Sequence, residues 1–238
     1  MRATAFGTVT ISAMIASSTN TSSARAQRVD RLLDEKAVAV LRTDDPAALP
    51  PIAEALLEGG IAAIEVTMTV PGALGAIEEV KTTIGDDGIV GVGSATGAKD
   101  VLGAVDAGAE FVVSPVFKRE IVDTAHEQDV PAIPGALTPT EIQTAHEAGA
   151  DVVKVFPAST MGKGYLGSVK APLPHLRLCP TGGVSIDDAG AWLQAGADLV
   201  GLGSALLDGA DPEAGDYDQV TANARRLRRN VDGASVSV

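Results

Sequence analysis

The sequence predicts a single (β/α)8 TIM barrel of the α/β class, and three observations carry that expectation. From Val29 onward, short apolar runs alternate with amphipathic helical segments, with about twenty to twenty-five residues per unit. Eight such units follow one another with no linker or shift of composition after residue 28. An echo precedes alternate strands: Ala107-Gly108-Ala109-Glu110, Ala148-Gly149-Ala150-Asp151 and Ala195-Gly196-Ala197-Asp198, with Gly59-Gly60-Ile61 in the same place earlier. In an eight-stranded barrel alternate strands fill the same interior layers, so a pattern on the even strands has a geometric reason. The competing fold is an open doubly wound sheet, which Gly91-Val92-Gly93 invites. However, Gly97 falls one position late for a dinucleotide fingerprint.

The elements follow in order. Ala37 to Leu41 is the first strand, ending at Arg42. Pro46 to Glu58 is a helix, with Asp44 or Asp45 as cap and proline early. Ile61 to Val66 is the second strand, with Glu65 near its end, and Ala73 to Ile84 is helical. Ile89 to Val92 is the third strand, closed by Gly93-Ser94, and Ala98 to Ala107 is the next helix. Phe111 to Ser114 forms the fourth strand, stopped by Pro115, and Lys118 to Gln128 the helix after it. Pro131 to Pro134 is a short fifth strand. Pro139 to Ala148 is a helix capped by Thr138, with Glu141 as the capping-box partner. The sixth strand lies in Gly149-Ala150-Asp151-Val152-Val153-Lys154-Val155-Phe156-Pro157, a run of valines bounded by turn residues, and a weak helix at Tyr165 to Val169 follows. Leu176 to Cys179 and Leu199 to Leu202 are strands seven and eight. The helix between them is Asp187 to Gln194. Tyr217 to Arg229 closes the chain, its arginines at the end where the helix dipole favours cations.

Of 238 residues, 45 % are apolar, 26 are glycine and only 3 % are aromatic, which suits an α/β core of small aliphatic side chains. One cysteine excludes an intrachain disulfide framework and a cysteine-rich zinc site. Net charge is −13, from 31 acidic and 18 basic residues, seven of them lysine. That balance argues against nucleic acid and anionic membranes as partners. It suits a salt-adapted cytoplasm, where dense carboxylates keep a protein soluble as salt screens other repulsions.

Met1 to Gln27 differs from the rest: it carries Arg2 and Arg25, no acid, and a Ser/Thr/Ala-rich run. Residues 1–27 read as a disordered extension and 28–238 as the barrel. The apolar piece from Phe6 to Ala16 is too short and too polar to span a bilayer. A signal-peptide reading would put a cleavage-like end at Ala24-Arg25-Ala26.

Lys154 is the anomaly that points to chemistry. It stands inside a valine-rich strand, where an ammonium loses hydration and the neutral amine becomes available. A neutral amine attacks carbonyls and forms a Schiff base. The alternative is a lysine that snorkels to solvent at the strand end. Barrel active sites lie at the C-terminal ends of strands, which here present Arg42, Glu65, Thr67, Ser94, Ser114, Lys154, Thr181 and Ser204. Strand parity puts Glu65 and Lys154 on inward faces of opposite strands, able to meet in one mouth. Glu65 would then move protons while Lys154 forms the imine; the alternative is a buried ion pair that only holds the barrel. Thr181-Gly182-Gly183 and Gly203-Ser204 occupy the loops after strands seven and eight, the usual barrel phosphate site. Arg42 supplies a cation suited to a carboxylate. No histidine spacing suggests a metal. His126 and His146 read as helix-surface residues, and Cys179 as a buried small hydrophobe.

Together, Val40-Leu41-Arg42, Ile64-Glu65-Val66-Thr67, Val90-Gly91-Val92-Gly93-Ser94, Ser114-Pro115, Ile133-Pro134-Gly135, Lys154-Val155-Phe156-Pro157-Ala158, Pro180-Thr181-Gly182-Gly183 and Gly203-Ser204 stand in an order that resembles a known family. It is that of 2-keto-3-deoxy-6-phosphogluconate and 4-hydroxy-2-oxoglutarate aldolases. The resemblance runs from about residue 28 to 229. It implies a class I aldolase without metal or other cofactor, usually a homotrimer, acting on a 2-keto-3-deoxy sugar acid phosphate. By position it implies Lys154 as the Schiff-base lysine and Glu65 as the general acid/base. Arg42 and Ser94 would hold the pyruvyl carboxylate region, and Pro115 and Phe156 would line the pocket. Thr181, Gly182, Gly183, Gly203 and Ser204 would surround the phosphate. Ser94 replaces a usual threonine, Thr69 stands where some members carry arginine, Val116 replaces a frequent glycine, and Lys163 enters a commonly Gly-Gly loop. These departures bear on sugar selectivity rather than on the imine. The rival readings are a lyase for unphosphorylated keto acids or the galactonate epimer, and a non-catalytic barrel that binds phosphorylated sugars.

Overall fold

Short runs of Ala, Val, Ile and Leu form eight parallel strands that close into a ring. The structure is a computed structural model that describes residues 22–234, apart from the Glu213 side chain. The strands are β1 (Ala37–Leu41), β2 (Ala63–Thr67), β3 (Ile89–Gly93) and β4 (Val112–Val113). Strand β5 comes in two pieces, Ala132–Ile133 and Gly135–Ala136, because Pro134 has no N–H to give to a ladder. Then come β6 (Val153–Val155), β7 (Leu178–Pro180) and β8 (Val200–Leu202). Pairing runs without interruption from β8 through β1 to the first piece of β5, and from its second piece to β7. A parallel bridge between Thr181 and Gly201 joins β7 to β8 and completes the barrel.

Two layers of core follow from strand parity. Inward-facing Val38, Ala63, Ile89, Phe111, Val113, Ile133, Val152, Cys179 and Leu199 fill the interior toward the N-terminal end. The other parity packs on the helices: α2 (Leu49–Glu58), α3 (Ala73–Ile84), α4 (Ala98–Asp106), α5 (Arg119–Glu127), α6 (Pro139–Glu147), α9 (Ala189–Gln194) and α10 (Asp218–Asp232). Two short helices, α7 (Ala158–Met161) and α8 (Gly164–Lys170), fill the β6–β7 connection. The expected capping box opens α6: Thr138 Oγ1 accepts from Glu141 N–H at 3.3 Å, and Glu141 Oε2 accepts from Thr138 N–H at 2.8 Å.

The boundary drawn at residue 27 falls within a helix, and most of the stretch before it, residues 1–21, lies outside the described residues. Helix α1 (Ala24–Glu35) begins inside the stretch read as an extension, capped by the Ser23 side chain. Its Leu32 is buried among the interior side chains and stoppers the N-terminal end of the barrel. Ala24-Arg25-Ala26 is thus the first turn of a packed helix. The apolar piece at 6–16 lies outside the described residues.

The echo before the even strands has a different cause from the one expected. Gly108, Gly149 and Gly196 each take a left-handed φ (98, 101 and 108°), which lets the chain leave a helix and turn at once into a strand. The acid that follows accepts from the N–H of a residue on the preceding strand or just before it. Glu110 Oε2 accepts from Val90 at 3.5 Å, Asp151 Oδ2 from Ala132 at 2.9 Å and Asp198 Oδ2 from Leu178 at 2.8 Å. The same oxygens lie 3.0 Å from Lys81, His126 and Lys170, one basic group from a preceding helix in each case. His126 is accordingly half-buried against Asp151 rather than a free surface residue.

Candidate active site

The C-terminal ends of the strands enclose a cavity of about 430 Å³. All eleven predicted site residues line it: Lys154 and Glu65; Arg42 and Ser94; Pro115 and Phe156; and the loop residues Thr181, Gly182, Gly183, Gly203 and Ser204. Ser114 does not reach it. That side chain is fully buried, and its Oγ accepts from Val116 N–H at 3.3 Å.

Lys154 and Glu65 face one another across the barrel. Lys154 Nζ stands 3.9 Å from Glu65 Oε1, and both side chains are almost wholly buried, with 7 and 3 % exposed. That distance is beyond a direct hydrogen bond. Glu65 Oε1 is buried without a hydrogen-bond partner among the described residues. Burial pushes the Glu65 carboxyl above the usual range, against the opposing pull of Lys154 and Arg42. A carboxyl so placed keeps its proton to higher pH than an ordinary carboxylate does, which suits a group that both takes and returns one. Lys154 Nζ also lies 5.4 Å from the centre of the Phe156 ring, which walls the amine toward the mouth.

Glycines make the room. A Cβ on Gly91 would stand 2.4 Å from the Phe111 ring, and one on Gly201 would stand 2.4 Å from Thr181 Oγ1. The Gly-x-Gly of β3 is therefore spacing inside a barrel, not a nucleotide loop. Gly135 admits the Pro115 carbonyl, which would lie 2.3 Å from a Cβ there, so the loop after β4 folds over β5. Ser94 follows β3 at φ 58°, a left-handed conformation costly for a residue with a side chain, and it sits on the cavity wall.

Arg42 and Lys154 are the cations lining the cavity, and Arg42 forms no ion pair among the described residues. On the far side, Gly182 packs against the Phe156 ring, 3.0 Å from where its Cβ would be. Ser204 opens a 3-10 turn whose first N–H groups have no acceptor within the turn. The sequence marked Thr67 as a polar residue at a strand end but gave it no role. Its Oγ1 is 2.8 Å from Thr69 Oγ1, and it lines the cavity two residues beyond Glu65. Val40, Val184, Gly201, Ala205 and Leu207 complete the wall; short apolar residues near turns carry no signal that could have marked them. Beneath the site, Cys179 is paired in register with Lys154, and burial pushes its thiol up to about 12.

The chain is similar to known proteins in sequence and in fold. Residues 29–223 match the aldolase family described as KDPG and KHG aldolase. The chain is 34 % identical over 176 residues to a 2-dehydro-3-deoxy-phosphogluconate aldolase of Dickeya dadantii, covering 74 % of this chain and 82 % of that one. Among solved structures, the 2-keto-3-deoxy-6-phosphogluconate aldolase of Zymomonas mobilis with 3-phosphoglycerate superposes with a TM-score of 0.79 at 31 % identity, over 89 % of this chain and 99 % of that one. A KDPG aldolase from Legionella pneumophila, with pyruvate captured as a covalent carbinolamine intermediate, gives 0.74 at 27 % identity over 81 % and 93 %. The fold, the family match and these relatives agree: the chain belongs to the KDPG and KHG aldolase family.

Proposed function

We propose that this protein is a class I, Schiff-base aldolase that cleaves 2-keto-3-deoxy-6-phosphogluconate to pyruvate and glyceraldehyde 3-phosphate. The observation that carries the reading is the buried Lys154–Glu65 pair, 3.9 Å apart in the cavity at the barrel mouth. Buried ion pairs are a poor source of stability, since desolvation offsets their attraction. Reactive groups gain from the same burial.

The reaction runs on the side chains at hand. The Lys154 amine adds to the C2 ketone, and loss of water gives the iminium. Glu65 takes the C4 hydroxyl proton, the C3–C4 bond breaks, and its electrons enter the iminium to leave an enamine. The C4 aldehyde departs. Glu65 returns its proton to C3, and water hydrolyses the iminium to pyruvate and free Lys154. The lysine itself carries the electron sink, so the sequence of steps calls on no further cofactor. Arg42 and Ser94 orient the carboxylate end. The N–H groups of Gly182, Gly183 and Ser204 receive the phosphate, with Thr181 and Gly203 shaping that wall and Pro115 and Phe156 confining the sugar.

The assembly we propose is a homotrimer, as the resemblance to the family implies. No helix among the described residues is long and apolar enough to cross a membrane. We place the enzyme in the cytoplasm, where such an acid phosphate is handled. Pyruvate release from the two C4 epimers, each with and without phosphate, tests the substrate. Fastest turnover of the phosphorylated gluconate compound supports the assignment; preference for 4-hydroxy-2-oxoglutarate, an unphosphorylated acid or the galactonate epimer replaces it.

A further inference from the structure

Two loops that wall the phosphate side of the cavity are stitched together. Ala158 N–H donates to the Thr181 carbonyl at 2.9 Å, and Ser159 N–H donates to the Gly182 carbonyl at 3.0 Å. In a trans peptide the carbonyl and the N–H point in opposite directions. These bonds therefore turn the N–H groups of Gly182 and Gly183 away from α7, and both glycines line the cavity. Both glycines take positive φ, 86 and 83°, as that arrangement requires. The space over Gly183 is filled by Ser159, whose Cβ would stand 2.4 Å from a Cβ there. The direction of these two N–H groups thus depends on where α7 sits.

The chain just beyond α7 is open around two glycines. Gly162, Lys163 and Gly164 follow that helix, and neither glycine has a heavy atom within 4 Å of where a Cβ would be. Lys163 ties this segment to the loop after β7. Its Nζ is 2.9 Å from Asp188 Oδ2 and 5.3 Å from the centre of the buried Trp192 ring. Asp188 stands on the other loop, at the start of α9. There its carboxylate accepts from Ser185 N–H at 2.9 Å, and its own N–H donates to Ser185 Oγ at 3.2 Å. Burial opposes the charge on Asp188, but hydrogen bonds from Lys163 and Ser185 outweigh it and hold the carboxyl below the usual range.

We propose that Lys163 is a positioning residue: its ion pair with Asp188 fixes the loop after β6 against the loop after β7 and so sets how tightly the cavity grips the substrate phosphate. This rests on the reading that Gly182 and Gly183 receive that phosphate. A half-exposed ion pair adds little to global stability, so its effect belongs in anion affinity rather than in melting temperature.

The test compares the wild type with Lys163→Met, which keeps the apolar stem over Trp192, with Asp188→Asn, and with Lys163→Arg. Steady-state kinetics are read on 2-keto-3-deoxy-6-phosphogluconate and on its unphosphorylated counterpart. Binding of inorganic phosphate to the same proteins is read by calorimetry. Expected is a rise of about 2- to 5-fold in KM for the phosphorylated substrate and in the phosphate Kd, the scale a half-exposed pair sets. The KM for the unphosphorylated acid stays put, kcat changes less than KM, and Lys163→Arg restores the wild-type values. Unchanged phosphate affinity in both charge-removing variants overturns the inference, as does an equal loss on both substrates. Lys163-dependent phosphate binding by a wild type that cleaves neither acid would uphold the positioning role and contradict the aldolase assignment instead.

Discussion

A Cβ placed on Gly93 would fall 1.9 Å from Oε1 of Glu65, so the third strand lacks a side chain where the carboxylate of the second needs space. Gly93 is the register partner of Thr67, two residues on from Glu65, and Glu65 itself pairs with Gly91. The acid/base group is therefore positioned by what its neighbours omit. Gly93→Ala should push the carboxylate off its line to Lys154. A displacement of that size costs on the order of 10²-fold in turnover, and overpacking costs about 1–3 kcal/mol of stability. Steady-state kinetics beside a denaturant titration check both; wild-type kcat in a folded Gly93→Ala protein would remove the positional argument.

Glu65→Gln keeps the shape and removes the titration. Turnover should fall by about 10²- to 10⁴-fold, the usual contribution of a positioned acid/base group. The variant should still form the Lys154 adduct with pyruvate, because imine formation needs the amine first. Near-normal kcat would take the proton-transfer role away from Glu65.

The raised Glu65 carboxyl sets a pH dependence with a definite sign. Its ionised form takes the C4 hydroxyl proton, so kcat/KM should decline on acidification at a higher pH than an ordinary carboxylate would give. Stability moves the other way. The folded state holds this proton above the pH at which the unfolded chain releases it. The favourable contribution is full below the unfolded value and is lost as pH rises through the raised one. A stability–pH curve should show that slope in the wild type and lose it in Glu65→Gln.

Most of the barrel was legible because its elements keep two clean periods. Ala37–Leu41 and Ala73–Ile84 lie where alternation and helical spacing put them. Helix α1 escaped notice because only Val29 and Leu32 of its twelve residues are buried, so its apolar stripe is thin. The signals were there in Ser23 as a cap and in the spacing of Val29, Leu32 and Leu33. The site was legible because charged residues at strand ends are few, and parity sends Glu65 and Lys154 inward together. What stayed hidden depends on pairs distant in sequence, such as Gly93 with Glu65 or Lys163 with Asp188. One-dimensional periodicity does not report those.

Cys179 should be silent toward thiol reagents while the fold holds. With its thiol pushed up to about 12 and only 4 % of the residue exposed, roughly one part in ten thousand is thiolate at pH 8. Labelling with a chromogenic disulfide should therefore track unfolding, not time in native buffer. Rapid native labelling would mean that the interior beneath Lys154 opens readily.

A net charge of −13 should make stability depend on salt, since carboxylate repulsion opposes the compact state until ions screen it. Circular dichroism melts in low and in molar salt should show the midpoint rising with salt. Full stability without salt would end the idea of salt adaptation.

Incubation with pyruvate and borohydride, followed by peptide mass spectrometry, puts the central claim at most direct risk. A reduced pyruvyl adduct on the peptide that contains Lys154, absent from Lys154→Met, is the expected result. An unmodified Lys154 peptide from active enzyme, or an adduct carried by a different lysine, would contradict the account.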